Sequence, residues 1–278
     1  MKLQPAVAGS FYPGDRKKLQ AVLDTFEADN RVALPKGEAV GLLLPHAGYA
    51  YSGAVAALGY RSLTASVGTV LLLGPSHFMP FKGVSIFAGD SVVTPLGEIQ
   101  VDREACELLM ESDDHIAEIP PAFAREHSVE VHFPLVYRFL PGAKVVPMVM
   151  GQGMEQSVKP LRLALQALWK KKKFLLVASS DLSHYPGYDT AKKADGEFLA
   201  ALLSGDGSEV EAVDEKIMAR GYPDYYCTHC GKEPLAALLN FTGDIGADKT
   251  KLLAYRNSGD VTGDHSRVVG YAAVAFCK

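Results

Sequence analysis

Three short apolar runs in this chain each end in a turn that carries a histidine. Residues 40–44 lead into Pro45-His46-Ala47-Gly48-Tyr49. Residues 70–73 lead into Gly74-Pro75-Ser76-His77-Phe78. Residues 174–178 lead into Ser179-Ser180-Asp181-Leu182-Ser183-His184-Tyr185. Continuous apolar runs this short, closed by proline, glycine or serine, read as strands buried on both faces. Amphipathic stretches separate them and predict helices over about 15–29, 53–62, 102–112, 126–139, 157–171, 190–203, 208–219 and 231–241. Further strands are expected at 144–150, 252–255 and 268–276, and a hairpin from 84–87 and 91–94 around Ala88-Gly89-Asp90. This alternation predicts an α/β fold: one domain over residues 1–278, with a central, mostly parallel sheet flanked by helices. No repeat, low-complexity tract or linker divides it.

In open α/β sheets ligands bind beyond the carboxyl ends of the strands. If the three strands are neighbours, His46, His77 and His184 converge on one crevice. A lone histidine at a strand end is an ordinary loop residue; three at the same kind of position point to a shared site. Neutral imidazole is a ligand for zinc, iron and copper, and it also serves as a general base. A catalytic metal needs about three protein ligands and an open position.

The segment Tyr225-Tyr226-Cys227-Thr228-His229-Cys230-Gly231-Lys232 supplies soft ligands. One Cys-x-x-Cys pair is a weak zinc signature, since structural zinc needs a second pair. Cys230 stands just before the helix expected at 231, where the first N–H groups favour a thiolate. Cys106 and Cys277 show no partner spacing and read as structural thiols. In Glu126-His127-Ser128-Val129-Glu130-Val131-His132 the histidines are five apart, so the stretch does not match the His-Glu-x-x-His zinc motif. On a helix Glu126 and Glu130 share one face and are expected in solvent, while His127 and His132 line the crevice as acid/base or supporting groups. Asp181, three residues before His184, is expected to orient that imidazole or to cap the turn.

Composition sets limits on partners. The net charge is −4 and the isoelectric point near 6.1, which argues against a nucleic-acid-binding face. No apolar run approaches the roughly 20 residues that span a bilayer, and the start lacks a signal-peptide core. The expectation is a cytoplasmic protein without membrane attachment. Four cysteines are too few for a disulfide framework.

Five ordered motifs, PHAGYAYSG, LLGPSHF, EHSVEVHFP, SSDLSHY and CGKEPLAALL, resemble the Memo family, whose prokaryotic members are called AmmeMemoRadiSam system protein B. AGSFYP near the start and the strand GYAAVAF near the end also fit. The family is similar in fold to the catalytic subunit of class III extradiol dioxygenases, which hold non-haem iron by two histidines and a carboxylate. In Memo proteins a cysteine takes the carboxylate position. The resemblance therefore implies His46, His77 and Cys230 as metal ligands, with iron or copper as the metal and zinc as the alternative. It places His184, Asp181 and His132 at further crevice positions, as the candidate catalytic groups. Cys227 and His229 depart from the family motif and are extra candidates.

Three functions follow as expectations. One is a metal-dependent redox enzyme related to the extradiol dioxygenases, acting on a small-molecule substrate. A second is a non-catalytic accessory protein working with a radical-SAM partner. The third is a zinc hydrolase using the same ligands.

Overall fold

A computed structural model describes residues 1–27 and 32–278. In chain order the strands are β1 (Lys2–Leu3), β2 (Ala39–Leu44), β3 (Thr69–Pro75), β4 (Val84–Ile86), β5 (Ser91–Thr94), β6 (Gly97–Gln100), β7 (Ile116–Ala117), β8 (Lys144–Met150), β9 (Leu175–Ser179), β10 (Lys249–Asn257) and β11 (Gly270–Cys277). The helices are α1 (Arg16–Glu27), α2 (Ala54–Arg61), α3 (Arg103–Met110), α4 (Phe133–Phe139), α5 (Lys159–Lys171), α6 (Tyr188–Ser204), α7 (Gly207–Met218), α8 (Lys232–Asp244) and α9 (Gly259–Thr262). Eight strands form the main sheet, in the order β10-β11-β2-β9-β3-β8-β4-β7. Its centre, β2-β9-β3-β8, is parallel, and β11 and β4 join it antiparallel on either side. The mostly parallel α/β architecture expected from the alternation is what forms.

The central strands are buried along almost their whole length, which is why they read as continuous apolar runs. Alternate residues of β2 face opposite helical layers. Gly41 faces α8 so closely that a Cβ there would lie 2.6 Å from Leu238. Leu44, of opposite parity, packs against Gly59 of α2, where a Cβ would lie 2.3 Å from the Leu44 side chain. Glycine at these two positions lets both helices approach the sheet, and each layer then seals one face of the core.

Several expectations are corrected. The stretches 84–87 and 91–94 do not pair with each other. β4 joins the main sheet, while β5 pairs with β6 and β1 in a separate three-stranded sheet. The helix expected over 126–139 begins only at Phe133, after a 3₁₀ turn at Glu130–His132. The helix expected over 15–29 is described over Arg16–Glu27, and residues 28 and 29 lie outside the described residues.

Glu126 and Glu130 are buried, against the expectation of a solvated face. Each carboxylate is taken up by donors from distant segments. Glu130 accepts hydrogen bonds from the N–H groups of Ala6 (2.6 Å) and Val7 (2.9 Å) and from the Tyr12 hydroxyl (2.7 Å). It thereby clamps residues 6–12 across the end of the sheet. From that strap the Phe11 carbonyl accepts a bond from the Tyr49 N–H (2.7 Å), in the turn after His46. A buried carboxyl group that accepts three bonds is costly to delete, because its donors are left unpaired. Glu130→Ala is expected to lower the unfolding free energy by about 3 kcal/mol; urea unfolding checks this, and an unchanged midpoint would show that the strap is held by other means.

Candidate functional site

β9 lies between β2 and β3, so the turns after these three strands meet at one edge. This adjacency is the condition the sequence left open. His46 follows β2, His77 follows β3, and the Ser180–Asp181 turn follows β9 between them. The rings of His46 and His77 are 5.1 Å apart, nearly perpendicular. His127 completes the group from the loop before the 3₁₀ turn. Its ring stacks on His77 at 4.5 Å and lies 5.4 Å from His46. One ring nitrogen from each of His46, His77 and His127 lies within 4.8 Å of the other two.

Hydrogen bonds fix which nitrogen each imidazole presents. The Ser179 hydroxyl donates its only hydrogen to the Ser128 carbonyl (2.6 Å). Its contacts with His46 Nδ1 (2.7 Å) and His132 Nε2 (3.0 Å) must then be bonds it accepts. His46 is therefore the Nδ1–H tautomer, with the Nε2 lone pair facing the crevice. His77 Nδ1 donates to Glu126 (2.8 Å), and His184 Nδ1 donates to the Leu182 carbonyl (2.8 Å). The three strand-end histidines are thus tied at Nδ1 and present Nε2, the arrangement in which a carboxylate or carbonyl orients a ligating imidazole. The Glu126 carboxylate also accepts from the N–H groups of His77 (2.6 Å) and Ser128 (3.0 Å). These bonds, with the one from the His77 ring, outweigh its burial and hold it below the usual carboxylate range.

Cys230 sits at the amino end of α8, with its Sγ 3.2 Å from His46 Nε2 and 3.3 Å from the Asp181 N–H. The expectation that helix N–H groups favour its thiolate does not hold for the protein alone. Burial, and then the nearby Asp181 carboxylate, push the thiol well above its ordinary value. As a thiol it donates to the His46 Nε2 lone pair. Asp181 does not reach the His184 ring. Its Oδ1 accepts from the His46 N–H (2.7 Å) and the Ala47 N–H (3.3 Å), so it fixes the turn that carries His46. Burial raises its pKa to about 7, against those two bonds.

His132 is fully buried behind Ser179. Its Nε2 donates to that hydroxyl, and its Nδ1 is 3.1 Å from the Tyr60 hydroxyl. Both of its nitrogens are used inside the protein. His229 points away from the crevice and packs on Phe198 at 4.8 Å. Cys227 is half-buried, and its carbonyl accepts from the His184 N–H (3.1 Å). All four cysteines are free; Cys106 and Cys277 are buried away from this edge.

The crevice mouth carries exposed aromatic rings with guanidinium groups over them. Phe78, 5.9 Å from the His127 ring, lies under Arg125, and Tyr185, 5.6 Å from the His184 ring, lies under Arg267, each at 4.9 Å. Neither arginine has a carboxylate partner among the described residues. Tyr185 has φ +71°, an unfavourable angle for a ring-bearing residue, fixed by its N–H bond to the Val268 carbonyl (2.7 Å).

Residue-pattern reasoning did not find Ser179, Glu126 or Phe11, whose ring lies 4.5 Å from His127. The only signal for Glu126 was its place beside His127, and its helical periodicity pointed outward.

Fold and crevice together define an α/β protein with a histidine-lined site at the carboxyl edge of its parallel strands. The model of Memo-like proteins matches residues 4–275, and the chain belongs to that family. A MEMO1 family protein of Methanosarcina barkeri is 38% identical over 278 residues, covering 98% of each chain. One of Methanobrevibacter smithii is 34% identical over 289 residues, covering 99% of this chain and all of the relative. The crystal structure of an uncharacterized Escherichia coli K12 protein aligns with a TM-score of 0.47 and 14% identity, over 84% of this chain and 98% of that one.

The buried imidazoles link stability to pH. Burial lowers His132 to about 3; burial, and then the His77 charge, lower His127 to about 4. As pH falls through the ordinary value of 6.5, the unfolded chain binds protons that the folded chain refuses. Their contribution is therefore complete above pH 7 and lost toward pH 4. Asp181 acts in the opposite sense, its contribution being lost as pH rises through about 7. His132→Gln removes one of the refused protons. It is expected to flatten the pH dependence of stability by about 1.4 kcal/mol per pH unit between pH 6 and 4. Urea unfolding across that range, with a chelator present, measures the slope.

Proposed function

We propose that this crevice holds a redox-active first-row metal, iron or copper, and that the protein is a metal-dependent oxidoreductase for a small planar anion. The observation that carries the reading is the set of strand-end imidazoles, each tied at Nδ1 with Nε2 turned into the crevice, that of His46 toward the Cys230 thiol. His46 and His77 are the imidazole ligands and Cys230 the third ligand. The 3.2 Å between Cys230 Sγ and His46 Nε2 is near the roughly 3.5 Å expected between two ligands of one tetrahedral ion. His127 is the alternative third ligand: its Nδ1 is buried with no hydrogen-bond partner among the described residues, and one of its ring nitrogens lies within 4.8 Å of those of His46 and His77, a group that Cys230 does not join. A thiolate in the donor set favours copper or zinc over a site built on a carboxylate.

When bound, the metal supplies the electron transfer that the side chains cannot. The protein groups do the rest. Glu126 and Ser179 hold the two imidazoles in their ligating tautomers, and Asp181 holds the His46 turn. His132 keeps Ser179 an acceptor. Burial lowers the His184 pKa, so the ring is neutral at pH 7 and its Nε2 can take a proton from substrate. Arg125 and Arg267 attract an anion to the mouth, and Phe78 and Tyr185 give it planar surfaces.

Metal analysis of protein purified without added metal tests this reading. Stoichiometric iron or copper is expected, lost in His77→Ala and in Cys230→Ala. Zinc alone would turn the reading toward hydrolysis, and no metal would end it in favour of an accessory role. Ser179→Ala, which leaves two imidazole donors without their acceptor, is expected to weaken metal binding roughly ten-fold or more, as read by competition with a chromogenic chelator.

A further inference from the structure

A second cavity lies away from the histidine crevice, between α7 and α8. It encloses about 400 Å³. Gly207, Val210, Glu211 and Asp214 line it from α7, and Lys232, Leu235, Ala236, Leu239 and Asn240 from α8. Both sets recur at three- and four-residue spacing, so each is one continuous face of its helix. Gly207 lies against Leu239, and Asp214 stands close enough to His229, just before α8, for its charge to act on that ring, so the helices run antiparallel here.

The lining is apolar along the floor, with Asp214, Glu211 and Lys232 toward one end and Asp206, which accepts two bonds from Ser208, at the other. Val210, Leu235 and Leu239 are buried floor residues. At the charged end Asp214 and Glu211 stand on one wall and Lys232 on the other. These opposite charges face one space: Glu211 and Lys232 are exposed and Asp214 half-buried, neither Asp214 nor Lys232 has an ion-pair or hydrogen-bond partner among the described residues, and both charges act on His229. His229 closes that end, and its Nδ1 is buried without a partner. A buried polar atom left unbonded is costly, and a bound polar group removes that cost. An apolar cavity with a few convergent polar groups is the usual form of a small-ligand site.

We infer that this groove binds a small zwitterion of the free-amino-acid class with an apolar side chain. The ammonium sits against Asp214 and Glu211, the carboxylate takes the Lys232 ammonium, and the side chain covers Val210, Leu235 and Leu239. The site does not depend on the metal reading of the other crevice. It adjoins it through the chain, because His229 precedes Cys230.

Calorimetric titration of the purified protein with L-leucine tests the inference. Saturable binding is expected, weakened at least about ten-fold by Asp214→Asn and by Lys232→Met, as loss of a charge-assisted bond implies. 3-Methylbutylamine and 4-methylpentanoate, each lacking one of the two charges, are expected to bind weaker by a similar factor. Ala236→Trp, which fills the groove, is expected to abolish binding while circular dichroism stays unchanged. No saturable heat with millimolar leucine would overturn the inference. So would equal binding of the amine alone, or binding that survives the groove variants and disappears in His77→Ala.

Discussion

One hydroxyl hydrogen organises the crevice. Ser179 gives it to the Ser128 carbonyl, so every other bond at that oxygen must be received. His46 is thereby fixed with its lone pair outward, and His132, which shares the same oxygen, is fixed with its own Nε2–H inward. The constraint reaches the backbone as well. The Ser128 carbonyl belongs to the loop that supplies Glu126 and His127, so the loop, the last residue of β9 and the turn after β2 are held by one atom. A water molecule in place of Ser179 Oγ could turn to suit either tautomer. A hydroxyl anchored through its Cβ cannot, and the site's chemistry follows from that lack of choice.

The strand-turn-histidine joins were legible because they depend on local facts: short apolar runs and the residues that end them. The same reasoning placed the crevice at the carboxyl edge before the strand order was known. It failed over 126–132, where helical spacing placed Glu126 and Glu130 in solvent. Spacing records only what a segment could do alone. In the fold, backbone N–H groups from His77, Ala6 and Val7 capture both carboxylates, and those donors lie 49 to 124 residues away in the chain. Bonds of that range decide against the helix, and nothing in a seven-residue window reports them. The hairpin expected at 84–94 failed for a related reason: β4 finds its partner in β8, about sixty residues on, while β5 pairs with the strand just after it. Cys230 shows a third kind of limit. Its place at a helix start was readable, but the burial that overrides the helix field is a property of the packed site.

The crevice and the α7–α8 groove put different demands on charge. In the crevice the carboxylates are buried and bonded, Glu126 to the His77 ring and Asp181 to the turn that carries His46, which leaves the two arginines at the mouth as the charges that face outward. In the groove Glu211, Asp214 and Lys232 have no ion-pair partner among the described residues and are held on separate helices. A net charge of −4 describes neither place. The near-neutral total is compatible with two local surfaces of different charge, one cationic at the crevice mouth and one carrying both signs in the groove.

The position of β9 also bears on how the chain is made. β2 and β3 emerge from the ribosome early, but the strand that joins them follows about a hundred residues after β3. Until then β2 and β3 have no shared neighbour, and at least one open edge of apolar β-structure waits for its partner. Such edges are templates for pairing between chains. A nascent chain paused before residue 175 would therefore present two half-sites and a sticky gap. The geometry that gives the finished protein its crevice leaves its synthesis as the stage at which an apolar strand edge stands open to pairing with other chains.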